Sequence, residues 1–220
     1  MDEKQLVENT KTYVKNTLKG AEGGHDWFHI ERVYQNAKLI AQGEDVDLFV
    51  VELGALLHDI ADAKFYDGDE TVGPRKASSF LKSEGVAPDI IEHIIYIINN
   101  ISFKNSLDKG LSGKSMTNEL KVIQDADRLD AIGAIGIARA FNYGGFKNRS
   151  LYDPDILPNL DQDKETYKKS KAPTINHFYE KLLLLKDKMN TSTGRKIAEK
   201  RHNFMKSYLD QFYGEWNGQR

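Results

Sequence analysis

The stretch Leu53-Gly54-Ala55-Leu56-Leu57-His58-Asp59 is a run of apolar and small residues closed by a polar pair. A solvated pair is not expected at the end of such a run. Outward from it, apolar residues recur at helical spacing almost throughout, and few segments alternate strictly as a half-buried strand would. The pattern predicts an all-α protein. Expected helices cover residues 3–19, 27–42, 46–61, 69–84, 88–101, 118–142, 174–189 and 193–213, each end placed to within about 2–4 residues. Gly20 and Gly43 stand where helices should stop, Asp45 is placed to cap the next one, and Pro88 falls at a first turn. Asn105 to Ser115 and Lys147 to Pro173 read as loops, and the second is long enough to be either functional or mobile.

A chain of 220 residues with 40% hydrophobic content can bury a sizeable core, and a single domain over residues 1–220 is expected. Its 31 basic and 33 acidic side chains leave a formal charge of −2. That balance argues against an extended nucleic-acid surface, so phosphate recognition must be local. With no cysteine, disulfides, thiolate zinc sites and cysteine nucleophiles are excluded, and any metal must be held by nitrogen and oxygen. The N-terminus lacks the apolar stretch of a signal peptide, and runs such as Ile94 to Ile98 are too short to span a bilayer. A soluble, cytoplasmic protein is the expectation.

Alone, His58-Asp59 reads first as a hydrogen-bonded helix end. Similar placements elsewhere strengthen a metal reading: His29 lies on the amphipathic segment His29-Ile30-Glu31-Arg32-Val33, and Asp127 lies within Val122-Ile123-Gln124-Asp125-Ala126-Asp127-Arg128-Leu129. A carboxylate inside an apolar helical stretch needs a partner, and a divalent cation would serve all these residues together. Along the expected 118–142 helix, Asp127, Ala131, Ala134 and Ala138 form a stripe of small residues that would hold Asp127 deep in a bundle. The adjacent stripe places Arg128 and Arg139 on one face, suited to bidentate contacts with phosphate. Arg128 reads equally well as a partner for Asp59 or Asp26.

His29, His58-Asp59 and Asp127 together resemble the H…HD…D signature of the HD superfamily of metal-dependent phosphohydrolases. The contexts Gly24-His25-Asp26-Trp27-Phe28-His29, Leu56-Leu57-His58-Asp59-Ile60-Ala61-Asp62, Ala126-Asp127-Arg128-Leu129 and His177-Phe178-Tyr179-Glu180-Lys181-Leu182-Leu183 are similar to a bacterial branch of small single-domain members. The resemblance implies one divalent ion (manganese, magnesium, nickel, cobalt or ferrous iron) held by His29, His58, Asp59 and Asp127, with positions left for water and a phosphate oxygen. Two-metal members need further histidines between the His-Asp pair and the last Asp, where this chain has only His93, read here as a partly exposed structural residue. Asp62 matches the family's catalytic acidic residue, three residues beyond Asp59 and on nearly the same face if the helix persists. Lys64, Lys104, Arg128, Arg139 and Lys147 are the candidates for holding phosphate, each equally readable as a solvated charge. His25 reads as a helix cap or as a neighbour of the metal ligands.

The implied substrate is a small phosphorylated molecule, a nucleotide above all, including cleavage of nucleoside triphosphates to monophosphate and pyrophosphate. Relatives that hydrolyse guanosine tetraphosphate carry Asn four residues after the last metal-binding Asp; Ala131 here points away from that reaction. A nucleotide-sensing module without turnover and a di-iron oxygenase are the competing readings. Oligomeric state is left open.

Overall fold

A computed structural model describes residues 2–20, 26–61, 66–101, 116–161 and 170–220, and every regular element among them is helical. The chain divides into two compact units, residues 1–127 and 128–220. In order, the first carries α1 (Glu3–Thr17), α2 (Trp27–Ala41), α3 (Leu48–Leu57), α4 (Val72–Ser83) and α5 (Pro88–Asn100), together with most of α6 (Asn118–Asp130). The second carries α7 (Gly133–Phe146), α8 (Thr174–Glu180), a 3₁₀ helix (Leu182–Lys188) and α9 (Ser192–Trp216). No helix among the described residues is long and apolar enough to cross a membrane.

The opening run forms the centre of the first unit. In α3, Val50, Val51 and Leu53 to Leu57 are all buried, and a helix apolar on nearly every side, Glu52 excepted, belongs in a core. Asp47, not Asp45, caps it: its Oδ1 accepts from the backbone N–H groups of Phe49 (2.9 Å) and Val50 (3.2 Å). A Cβ at Gly54 would stand 2.6 Å from Cδ1 of Ile123 and 3.5 Å from Cδ1 of Ile97, so the missing side chain lets α3 lie close against α5 and α6. The helix stops at Leu57, with His58 as its C-cap, four residues short of the expected end. The pair therefore sits where the chain leaves the core.

In the second unit the buried side chains include Ile137, Ile175, Phe178, Leu182, Met205 and Leu209, bordered by rings of Phe141, Tyr208 and Phe212. The expected helix over 118–142 is two helices. Ile132 is extended (φ −128°, ψ 166°) and Gly133 takes φ +77°, which ends one helix and starts the next. The small-residue stripe from Asp127 to Ala138 and the paired arginine stripe therefore do not share one helical face. The break is tied together by charge: buried Asp130 accepts from Nη1 of Arg139 at 2.6 Å, and Arg201 donates to the carbonyl of Leu129 at 2.5 Å. The expected helix over 174–189 also differs, an α-helix of 7 residues followed by the 3₁₀ segment.

Candidate metal centre

Asp26 precedes α2 in extended conformation, and its side chain accepts from the backbone N–H of His29 at 2.9 Å. It is a helix cap, and it fixes the first turn that carries His29. The His29 side chain is only 4% exposed. At the end of α3, Nδ1 of His58 lies 2.8 Å from the carbonyl oxygen of Ala55. A carbonyl can only accept, so Nδ1 carries the proton and the lone pair of the neutral ring resides on Nε2. This is the arrangement by which metal-binding imidazoles are usually oriented.

The two rings meet edge to face with centroids 5.6 Å apart, and donor atoms of His29, His58 and Asp59 all fall within 4.8 Å of one another. Ligands to one ion at about 2.0–2.2 Å can be no more than about 4.4 Å apart, so these donors need draw in by only a few tenths of an ångström. Two imidazoles and a carboxylate suit a divalent cation of intermediate hardness. Asp127 stands 3.5 Å from Nε2 of His29 through its Oδ1. It is not held deep in the bundle as expected: its side chain is 44% exposed, and the buried acids of α6 are Asp125 and Asp130. Helix α6 turns Leu120, Ile123 and Ala126 into the core, which leaves Asp127 at the margin.

The other expected site residues fall differently. Asp62, Lys64, Lys104 and His25 lie outside the described residues. Because α3 ends at Leu57, the helical-face argument that joined Asp62 to Asp59 does not hold. Arg128 donates to the carbonyl of Lys188 at 2.7 Å, and Nη1 of Arg139 donates to both the carboxylate and the carbonyl of Asp130. Lys147 instead lies over the rings of Tyr143 and Phe146. His93 has Thr117 Oγ1 at 3.1 Å and Glu119 Oε2 at 3.5 Å, partners that suit a structural role at the start of α6. Sequence reading missed Arg149, whose guanidinium covers Tyr143, and Arg201; neither carries a spacing that announces it.

Comparison with known proteins supplies the family. Residues 27–132, which include all four expected ligands, match the model of the HD domain. The chain is 40% identical over 212 residues to the Bacillus subtilis protein YpgQ, spanning 96% of this chain and 94% of that one. Among solved structures it is similar to an HD-superfamily hydrolase of Bacillus thuringiensis, with 41% identity, a TM-score of 0.79 and coverage of 99% and 100% of the two chains. It is also similar to YpgQ in complex with ADP, with 36% identity, a TM-score of 0.73 and coverage of 98% and 97%. On the matched domain and these relatives alike, the chain belongs to the HD superfamily.

Proposed function

We propose that this chain is a metal-dependent phosphohydrolase that acts on nucleotides, with one divalent ion held by His29, His58, Asp59 and Asp127. The observation that carries the reading is the convergence of His29, His58 and Asp59 with the His58 ring locked in the tautomer that presents Nε2. When bound, a divalent ion there supplies Lewis-acid polarisation of a phosphoryl oxygen and acidifies water. The residues of the chain do the rest. Asp26 caps the turn that carries His29, and the carbonyl of Ala55 holds the imidazole of His58 in orientation before any substrate arrives. Asp62 is proposed, from its place in the motif, to move the proton, and Lys64, Lys104, Arg128, Arg139 and Lys147 to contact phosphate.

A nucleotide as substrate is supported by the similarity to YpgQ, which was crystallised with ADP. It is tested by incubating the full chain with a panel of nucleotides and phosphomonoesters and with manganese, magnesium, nickel, cobalt or ferrous ions, assaying phosphate and pyrophosphate separately. Nucleotide cleavage that needs a divalent ion and stops with chelator is expected. Nucleotide binding without product under every ion would make the chain a sensing module instead, and one metal per chain separates the proposal from a di-iron oxygenase.

A further inference from the structure

Two large aromatic side chains of the second unit stand in solvent: Tyr143 is 51% and Phe146 72% exposed. Three residues apart on α7, they share a face. Single exposed apolar side chains need no explanation, but these two are overlaid by cations. Lys147 Nζ lies 5.7 Å from the ring centroid of Tyr143 and 5.1 Å from that of Phe146, and the guanidinium of Arg149 lies 5.6 Å from that of Tyr143.

The cations are placed by the end of α7, not by chance swings of long side chains. Lys147 N–H donates to the carbonyl of Tyr143 at 2.9 Å, Asn148 turns the chain at φ 52°, and Arg149 N–H donates to the carbonyl of Gly144 at 2.9 Å. The Arg149 side chain is further fixed by a 2.7 Å bond from Nη2 to the carbonyl of Ser170. The unit as a whole carries an excess of basic residues. Residues 128–220 hold 17 Lys and Arg against 11 Asp and Glu, and the charges of Lys181 and Arg149 add to burial in holding the imidazole of His177 neutral.

A ligand that fits must offer a flat aromatic face to the rings and negative charge to the cations. We propose that Tyr143, Phe146, Lys147 and Arg149 form a nucleotide-binding ledge, on which the base stacks against the rings and the phosphates pair with the cations. The inference deepens the nucleotide reading given above and rests on it. Two rings make a short platform, whereas a strand needs successive platforms for successive bases, so the ledge is assigned to a mononucleotide.

The test is calorimetric binding by the full chain of α,β-methylene ATP, which resists cleavage between the α and β phosphorus atoms, compared with tripolyphosphate, which has no base. Tyr143→Ala and Phe146→Ala should each weaken the nucleotide by about fivefold to a hundredfold, the range of one lost base–aromatic stack, and leave tripolyphosphate within about twofold. Lys147→Ala should weaken both, and Phe146→Trp should retain nucleotide affinity. Because both rings are largely exposed, these variants should fold normally. The ledge is overturned if the alanine variants bind the nucleotide as wild type does, if they lose tripolyphosphate equally, or if a single-stranded oligonucleotide binds far more tightly than the mononucleotide. Unchanged binding in the ring variants together with metal-dependent nucleotide cleavage would sink the ledge and leave the hydrolase reading standing. Absence of both nucleotide binding and cleavage in the wild type would sink the two together.

Discussion

Residues 1–127 and residues 128–220 carry opposite charge. The first unit has 14 Lys and Arg against 22 Asp and Glu, the second 17 against 11, and the chain's formal charge of −2 conceals the difference. The acidic unit contains the His29, His58 and Asp59 cluster, and the basic unit contains the exposed rings with their covering cations. Within each unit by itself, an excess of acid favours cations and an excess of base favours anions. Screening limits such fields to about 8–10 Å at ordinary ionic strength, so what counts is where the charges are held within each unit. The near-zero net charge argues only against an extended polyanion surface; the distribution of charge between the units is additional information.

The comparison is broken most severely at the donor cluster. His58→Ala should remove the metal and the activity together, with turnover down by at least about a thousandfold, since metal assistance is worth several kcal/mol of barrier. Elemental analysis of metal per chain alongside turnover checks it. Full occupancy in the variant would take His58 off the ligand set. Asp62→Asn should separate the two effects, keeping metal and folding while lowering turnover by about a hundredfold to ten-thousandfold. Hydrolysis at the wild-type rate would mean that another group moves the proton.

What the sequence disclosed and what it hid divide by the range of the signal. The boundaries of α1, α2 and α5 follow from local punctuation, and the apolar run through Leu57 announces the core helix. His29, His58 and Asp59 stand out as polar residues on apolar segments, but it was their recurrence and the family resemblance that turned a hydrogen-bonded helix end into a metal reading. The break at Ile132 was not, because Ala131, Ala134 and Ala138 continue a helical stripe and only Gly133 marks the turn. Nor was the partner of Asp130: Arg139 lies nine residues on, a spacing that places no two residues side by side on one helix, and Arg201 is farther still. The exposed rings of Tyr143 and Phe146 gave no warning either, since an aromatic pair at helical spacing ordinarily reads as core.

The Asp130 assembly offers a sharper test of the second unit, because there an acid sits among basic groups. Asp130→Asn preserves shape but leaves Arg139 and Arg201 without the carboxylate, and removing one partner of a buried pair is costly. A loss of about 3 kcal/mol is expected, near the low end for such pairs because Arg139 is partly exposed. Denaturant unfolding should show it as a lower midpoint with the slope unchanged. A variant as stable as wild type would mean that the carboxylate's charge contributes nothing to holding the break.

The smallest expected effect concerns acid, and it falls on the same basic unit. Burial, then the charges of Lys181 and Arg149, lowers the imidazole of His177 from an ordinary value of 6.5 to about 4. Above pH 6.5 the ring is neutral in folded and unfolded chains alike, and His177 adds no pH dependence. As pH falls below 6.5 the unfolded chain takes up a proton that the folded one refuses, so folding loses stability until the folded ring itself titrates near pH 4. At pH 5 this amounts to about 1–2 kcal/mol, allowing for the part of the ring that solvent reaches. His177→Gln keeps a polar side chain but cannot take up that proton, so its stability should fall less between pH 7 and pH 5 than that of wild type. Urea unfolding of both proteins at the two pH values isolates the effect, because every other titrating group is common to them and cancels in the difference. Equal losses would show that neither burial nor the charges of Lys181 and Arg149 hold this ring neutral in the folded chain. A difference of the expected size and sign would establish that the folded chain refuses this proton, through burial first and the charges of Lys181 and Arg149 second.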